Sequence, residues 1–258
     1  KYIILQKGLF ILIKKFEIKS HDGPARLGKL EGSNTPKLFD RKDMTIAPTL
    51  GSSYNIDKEI AQLNVRKTLE NGRENVEKCD FAVIQGSKYL DLRLECAKEL
   101  EKIGYNCLLI ANSDELLLHP RDLVELVVKT RKILNPNTVL IFTFAEPSFM
   151  PLLSYMGIDG FLKDSANYYS YLNDFMTLTK TYDLDEYSLF DEISRKQLEE
   201  NNLKTLEFVI REIQTHIKNN SLRNLVEERS LTTPQNVSAL KILDKKYMKY
   251  LLENTQLY

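Results

Sequence analysis

The chain has 258 residues, of which 43% are hydrophobic and 28% are charged, so a folded domain is expected and disordered or fibrous proteins are excluded. Its 36 Lys and Arg balance its 36 Asp and Glu, so the net charge attracts neither nucleic acid nor an acidic membrane, and such a partner would need a local patch. Cys79, Cys96 and Cys107 form no CxxC pair and have no histidine at ligand spacing, which excludes a disulfide framework and a zinc site and indicates a reducing, cytoplasmic location.

The first fifteen residues are apolar and basic, but Gln6, Lys7 and Gly8 divide them. The remaining LFILI run is too short to cross a membrane. We expect residues 1–15 to form an N-terminal extension or a strand, and residues 16–258 to form the domain. Within the first 75 residues, the alternation in FEIKS and the turn-rich stretch after it predict strands and loops around one end of the fold.

From residue 80 the sequence alternates short apolar runs with helical periods. The predicted strands are 81–86, 106–111, 138–144 and 157–162. The first predicted helix carries Tyr89, Leu92, Cys96, Leu100 and Ile103 on one face, the second covers 120–134, and a third lies near 147–156. Strands that are apolar on both faces and separated by helices are typical of a parallel sheet covered by helices. The fold class is therefore α/β.

The remainder of the chain is mostly helical. One apolar stripe consists of Leu203, Leu206, Ile210, Ile213 and Ile217, and a second of Leu240, Leu243, Tyr247 and Leu251. We expect these closing helices, over about 195–258, to pack against the sheet.

Five segments, in order, resemble the tRNA-guanine transglycosylase superfamily, most closely its archaeal branch, which includes archaeosine synthase. They are FEIKSHDGPARLGKLEGSNTPKLF (16–39), VIQGSKYLDLRLECAKELEKIGYNCLLIA (83–111), HPRDLVELVVKTRKILNPNTVLIF (119–142), PLLSYMGIDGFLKDSANYYSY (151–171) and NNLKTLEFVIREIQTHIKNNSLRNLVEERS (201–230). The resemblance implies a (β/α) TIM-like barrel, irregular or incomplete in its first half, and a role in 7-deazaguanine modification of tRNA. It also implies that Gln85 and Gly86, at the end of a strand, contact the base.

The sequence departs from active members of this family at the catalytic positions. Residues 40–84 contain no Asp-Ser-Gly-Gly element, so the acid-base carboxylate has no counterpart. Ala111-Asn112 stands where active members have Gly-Gly, and a Cβ there would obstruct a flat ring. The family's Phe-Asp-Ser nucleophile segment aligns with Phe161–Ser165, which makes Asp164 the nucleophile if two residues are inserted and Leu162 the equivalent if none are.

The family's zinc ligands are missing as well. Residues 174–192 contain no cysteine, and Asn201-Asn202-Leu203 places asparagine where active members have histidine. We therefore expect no structural metal, and we expect no cofactor.

Each candidate residue also has a structural interpretation. Gln85-Gly86 can be a turn, Asp164-Ser165 can cap a helix, and Asp91 and Arg93 can be exposed helix charges. His21, His119 and His216 lie far apart and are assigned no catalysis. The acidic stretch 183–192 is typical of a solvated loop, and the 11 basic against 7 acidic residues of 195–249 can form a solvated helical face or contact phosphates.

The leading hypothesis is a degenerate transglycosylase-like domain or subunit of archaeosine synthase that supplies tRNA docking or an assembly surface, with the chemistry on a partner. Its partners would be tRNA and another archaeosine synthase subunit or RNA-binding module, and a homodimer is compatible with this role. The alternative is an active base-exchange transglycosylase that uses Asp164 as nucleophile. A third reading, an unrelated metabolic α/β barrel, predicts a glycine-rich phosphate loop, and the sequence offers no candidate.

Overall fold

Strands and helices alternate through the middle of the chain in the structure, a computed structural model that describes residues 2–5, 9–12 and 16–254, the first two ranges by backbone alone. The strands are Tyr2–Leu5 (β1), Leu9–Leu12 (β2), Phe16–Asp22 (β3), Ala25–Leu30 (β4), Ser33–Thr35 (β5), Lys37–Phe39 (β6), Ala82–Ile84 (β7), Cys107–Ile110 (β8), Val139–Phe142 (β9), Gly160–Leu162 (β10), Asp174–Met176 (β11) and Thr181–Asp183 (β12). The α-helices are Lys58–Asn75 (α1), Leu90–Ile103 (α2), Ser113–Leu117 (α3), Pro120–Ile133 (α4), Met150–Tyr155 (α5), Asp164–Tyr171 (α6), Arg195–Lys218 (α7), Leu222–Ser230 (α8) and Pro234–Glu253 (α9).

A five-stranded parallel sheet, in the order β6-β10-β9-β8-β7, organises the molecule. Its strands are apolar on both faces because each face meets a separate core. In β8, Leu108 and Ile110 belong to the large core under the helices, whereas Cys107 and Leu109 belong to a smaller core on the other face. The predicted α/β class with a parallel sheet is confirmed.

The two edges of this sheet approach each other. β6 and β7 are the edge strands, yet the rings of Phe39, the last residue of β6, and Phe81, just before β7, lie 6.0 Å apart, edge to face. Residues 45–47 run parallel beside Phe81, since the Ala47 amide donates to the Phe81 carbonyl at 2.8 Å. One stretch, 37–47, therefore runs from one edge of the sheet to the other. Across the described residues the sheet has five strands rather than the eight of a complete (β/α)8 barrel.

The predicted helices and strands from residue 80 onward are confirmed within a few residues. Helix α2 buries Leu92, Cys96 and Leu100, as its apolar period requires. Helix α4 has Pro120 at its first position, where the missing amide hydrogen costs nothing. Helix α7 begins with a capping box in which Ser194 and Gln197 bond each other's backbone amides.

Helix α1 corrects the expectation of strands and loops in the first 75 residues. It spans 18 residues, Lys58–Asn75. Its buried face mixes apolar Ala61, Val65 and Leu69 with polar or small residues, namely Asn64, Thr68 and Gly72. The polar members dilute the hydrophobic period, so the face is not recognisable as a helix from apolar spacing alone.

Three smaller sheets and the closing helices complete the fold. β1 pairs with β2, β3–β5 form an antiparallel sheet, and β11 pairs with β12. Helix α7 packs against β6, an edge strand of the parallel sheet, and against β3 and β4, whereas α9 packs against α4. Within the described ranges, no helix is both long and apolar enough to span a membrane.

Candidate functional site

The residues predicted to bind or react follow the carboxyl ends of the parallel strands. Gln85 and Gly86 follow β7, Ala111-Asn112 follow β8, and Asp164 follows β10. Because parallel strands end at one edge of the sheet, this edge is the expected place for a site. β8 and β9 lie between β7 and β10, which separates Gln85 from Asp164 by about 14 Å along the sheet.

Gln85 is buried, with 3% of its surface exposed. Its Nε2 donates to Thr49 Oγ1 at 3.1 Å, and Thr49 Oγ1 lies 2.8 Å from Thr68 Oγ1. No described residue donates to the buried Gln85 Oε1. The amide therefore serves a contact within the chain, and half of its hydrogen-bonding capacity has no partner among the described residues.

Gly86 is required by the helix that follows it. Its φ is +139°, a conformation that glycine tolerates and L side chains rarely adopt. A Cβ at this position would lie 2.7 Å from the Arg93 amide nitrogen and 2.8 Å from Arg93 Cγ. Glycine is therefore needed at position 86 because α2 packs closely against the backbone there, on the side that faces Arg93.

Arg93 is buried, so its assignment as an exposed helix charge is wrong. Only 2% of its surface is exposed, and its guanidinium donates to the carbonyls of Ser87 and Ala111 and to Asn112 Oδ1. Burial lowers the pKa of Arg93 to about 10. Arg93 thus ties the loop after β7 to the loop after β8. Asp91 is exposed as predicted and pairs with Lys58 at 2.6 Å.

Residues 48–56, here called the cover segment, lie across the ends of β7 and β8. Besides Thr49, the Ser52 carbonyl accepts from Asn112 Nδ2 at 2.7 Å, and Ser52 Oγ lies 3.1 Å from Ser87 Oγ. The Tyr54 carbonyl accepts from the Lys88 amide at 3.0 Å. The cover segment therefore bonds Gln85 Nε2, Ser87, Lys88 and Asn112 at the ends of β7 and β8 and leaves Gln85 Oε1 without a partner among the described residues.

The side chain of Tyr54 anchors the cover segment to α4. Its ring stacks on His119 with centroids 4.9 Å apart, and its hydroxyl donates to Asp122 at 2.5 Å. Only 4% of Tyr54 is exposed. His119 is thus engaged in stacking, and sequence periodicity gave no signal for Tyr54 because it lies in a loop.

Asp164 is the first residue of α6 and is half-buried. Lys163 occupies the cap position without a side-chain bond, and Ser165 Oγ donates to the carbonyls of Thr143 and Leu162. The expected capping by Asp164 and Ser165 is therefore wrong. Within the described residues the Asp164 carboxylate makes no hydrogen bond or ion pair, so geometry leaves it available for a ligand.

Sequence reasoning missed a contact between aromatic and acidic side chains that involves α6. The Tyr168 hydroxyl donates to Asp114 at 2.8 Å, and its ring lies 4.6 Å from that of Phe144. Burial and the Asp114 bond raise the pKa of Tyr168 to about 12. Tyr168 lies four residues after Asp164, on the same face of α6, and this spacing could have been recognised in the sequence. Nothing in the sequence indicated Asp114.

Amide side chains hold β11 to α7, where the family resemblance placed the metal ligands. Asn202 accepts from the Met176 amide at 2.8 Å and donates to the Asp174 carbonyl at 2.9 Å, and Asn201 donates to the Met176 carbonyl. Phe175 and Phe190 add an edge-to-face contact at 4.9 Å. In the part of the chain that the structure describes, no three His, Cys, Asp or Glu side chains group at metal-ligand distance.

Comparison with known proteins gives one family. The model of the family described as queuine tRNA-ribosyltransferase matches residues 43–196, more than half of the chain. The tRNA-guanine(15) transglycosylase of Thermococcus kodakarensis is 31% identical over 224 residues, 76% of this chain and 38% of that protein. The corresponding protein of Pyrococcus furiosus is 29% identical and covers 96% of this chain and 48% of its own length. The archaeosine synthase of Methanocaldococcus jannaschii is 23% identical and covers 78% of this chain and 33% of its own length.

The chain spans between a third and a half of the length of these relatives. The matched regions contain the strand ends, Gln85-Gly86 and Asp164 described above. On the family match and the identity to archaeal relatives, the chain belongs to the queuine tRNA-ribosyltransferase family.

Proposed function

We propose that this chain is a transglycosylase-like domain or subunit of archaeosine synthase. It contributes tRNA docking or an assembly surface to 7-deazaguanine modification of tRNA and does not itself exchange the base. The observation that carries the proposal is the cover segment, which takes up the bonds at the ends of β7 and β8. A base entering at Gln85 would have to displace Thr49, and at Ala111-Asn112 it would meet the Asn112–Ser52 bond. Displacing these bonds without replacing them costs about 1–3 kcal/mol for each buried group left unpaired.

Missing catalytic groups support the same proposal. Base exchange in this family needs two carboxylates. Asp164 supplies one at the end of β10, and residues 40–84 offer no Asp-Ser-Gly-Gly element for the other. A single carboxylate without an acid-base partner gives a weak catalyst.

Unpaired lysines on the closing helices suit tRNA docking. Lys196, Lys204 and Lys218 of α7 and Lys241 and Lys245 of α9 are exposed and lie outside the ion pairs of the described residues. By contrast, Arg223 and Arg229 are paired with Asp244 and Glu212. Exposed lysines contact phosphates without reading sequence, which fits docking.

The proposal also covers the fold of the domain and the proteins with which it assembles. The stretch 37–47 would close a reduced barrel, with 16–258 as the domain and 1–15 as an N-terminal extension. Another archaeosine synthase subunit would supply the missing chemistry in the cytoplasm. An RNA-binding module is a further partner, and a homodimer of this chain is compatible with the same role.

A test of the proposal uses unmodified tRNA and labelled guanine. The chain should bind the tRNA and incorporate no label, while the Thermococcus kodakarensis transglycosylase run alongside incorporates it. Changing Lys204, Lys218 and Lys241 to Glu should weaken tRNA binding about tenfold or more at low salt, and Lys98→Glu, an exposed lysine of α2, should leave it unchanged.

The alternative is an active base-exchange enzyme with Asp164 as nucleophile. The open carboxylate of Asp164 at a strand end favours it. Label incorporation by the wild-type chain that disappears in Asp164→Asn would establish this alternative and overturn the docking proposal.

A further inference from the structure

A cleft of about 500 Å³ opens at the amino end of the parallel sheet, opposite the cover segment. It lies between the β3–β4 hairpin, the connection from α4 to β9 and the end of α9. A space of this size can hold a small organic ligand. The site residues predicted from the family resemblance, Gln85, Gly86 and Asp164, do not line it.

Arg26 and Arg131 line the cleft, and the carboxylate of Asp159 lies buried behind them. Arg26 Nε donates to Asp159 Oδ1 at 2.9 Å, and Arg26 Nη2 donates to Asp159 Oδ2. Arg131 Nη1 lies 3.7 Å from Asp159 Oδ2 and donates to the Thr138 carbonyl at 2.7 Å. The side chains of all three residues are more than nine-tenths buried.

The buried group therefore carries a surplus positive charge. Asp159 neutralises one guanidinium and leaves the other bonded to neutral carbonyls. Burial, followed by the positive charge of Arg26, lowers the pKa of Arg131 to about 10 against the opposing effect of Asp159. The carboxylates of Asp159 and Glu101 compensate this charge only in part, and an anion nearby would offset part of the remaining cost of burying it.

The rim adds positive charge. Lys132 is exposed at the mouth. The acidic rim residue, Glu253, lies 3.7 Å from Lys249 Nζ, which reduces its influence. An anion entering the cleft therefore meets a positive field.

Part of the wall is apolar. Ile18, Leu134 and Pro136 line the cleft, and Ile18 has 37% of its surface exposed. Such a surface favours a flat ring over a free inorganic ion, because apolar area is removed from water when the ring binds.

We propose that this cleft binds a nucleoside phosphate, either as a free nucleotide or as a nucleotide of an RNA chain. The phosphate lies beside Lys132 in the field of Arg26 and Arg131, and the ring lies against Ile18 and Pro136. The cleft lies at the end of the sheet opposite the cover segment, so this binding is independent of the docking role proposed above.

Calorimetric titrations with GMP, inorganic phosphate and guanosine test the proposal at low salt. The wild-type chain should bind GMP most tightly, inorganic phosphate less tightly and guanosine least tightly. Lys132→Glu should weaken GMP and phosphate about tenfold. Ile18→Ser should weaken GMP about threefold and leave phosphate unchanged. Lys98→Glu, with the same change of charge on an exposed part of α2, should behave as the wild type.

Competition with unmodified tRNA distinguishes the two sources of the ligand. Displacement of GMP by tRNA identifies an RNA nucleotide, and no displacement identifies a free nucleotide. The proposal is overturned if the wild-type chain does not bind millimolar GMP, if guanosine binds as tightly as GMP, or if Lys132→Glu matches the control.

Discussion

At the carboxyl end of the sheet, hydroxyl and amide groups of the cover segment bond the loops after β7 and β8, whereas at the amino end two guanidinium groups share one carboxylate beneath a cleft of about 500 Å³. The first end is closed by neutral groups of the chain itself. The second end is stabilised by buried ion pairs and carries an open cleft.

This difference matters because parallel α/β folds place their sites at the carboxyl end of the strands, while the amino end serves stability. In this chain, Gln85, Gly86 and Arg93 use their bonds and packing within the protein. These three residues of the motif therefore contribute to the packing of the chain in this structure.

The largest expected effect concerns the charged amino end. Asp159→Asn leaves Arg26 and Arg131 without their carboxylate, and losing one partner of a buried ion pair costs about 3–5 kcal/mol. Urea unfolding should show that decrease in the free energy of unfolding. Asp91→Asn removes the exposed pair with Lys58 and should cost less than about 1 kcal/mol. Equal effects of the two changes would mean that the amino end does not depend on charge.

An intermediate effect is expected at the closed carboxyl end. Gly86→Ala forces a side chain into a φ of +139° and places its Cβ 2.7 Å from the Arg93 amide nitrogen. We expect a loss of about 2–4 kcal/mol in the free energy of unfolding. The control is Gly51→Ala in the cover segment, where a Cβ meets no atom within 4 Å, and its change should stay within about 0.5 kcal/mol. A tolerated Gly86→Ala would show that α2 does not fix this glycine.

The smallest effect is a pH dependence beside the carboxyl end. Burial first, and then the carboxylates of Asp183, Glu146 and Asp185, raise the pKa of Asp174 from 3.8 to about 6. Between these values the folded state holds a proton that the unfolded state has released, so this residue's contribution to stability is present below about pH 4 and is lost as the pH rises to about 6. After solvent screening the change is about 1 kcal/mol.

The difference in unfolding free energy between wild type and Asp174→Asn, measured from pH 4 to pH 7, isolates this contribution. As the pH rises, the free energy of unfolding of the wild type should fall relative to that of Asp174→Asn. A difference independent of pH would show that Asp174 titrates normally in the folded state.

Sequence periodicity predicted most elements after residue 80, because α2, α4 and α7 have continuous apolar faces. It missed α1, whose buried face includes Asn64 and Thr68. It also placed Arg93 on the surface, since a helix position gives no indication that a guanidinium will meet two loop carbonyls.

The sequence predicted where the candidate site residues lie in the fold, and it did not predict their contacts. Gln85, Gly86 and Asp164 do lie at strand ends, as a motif read along the chain indicates. Which atoms they contact depends on residues 36 to 60 positions away, such as Thr49 for Gln85 and Ser52 for Asn112. No local pattern encodes these partners.

The sequence by itself determined the α/β class, the order of the strands along the chain and the family, because hydrophobic period and motif order are local properties. Only the tertiary structure decided that the cover segment closes one end of the sheet and that Arg26, Arg131 and Asp159 meet at the other. Hydrogen bonds and charge pairs between distant residues form only after packing removes their groups from water, so their geometry is a property of the folded chain.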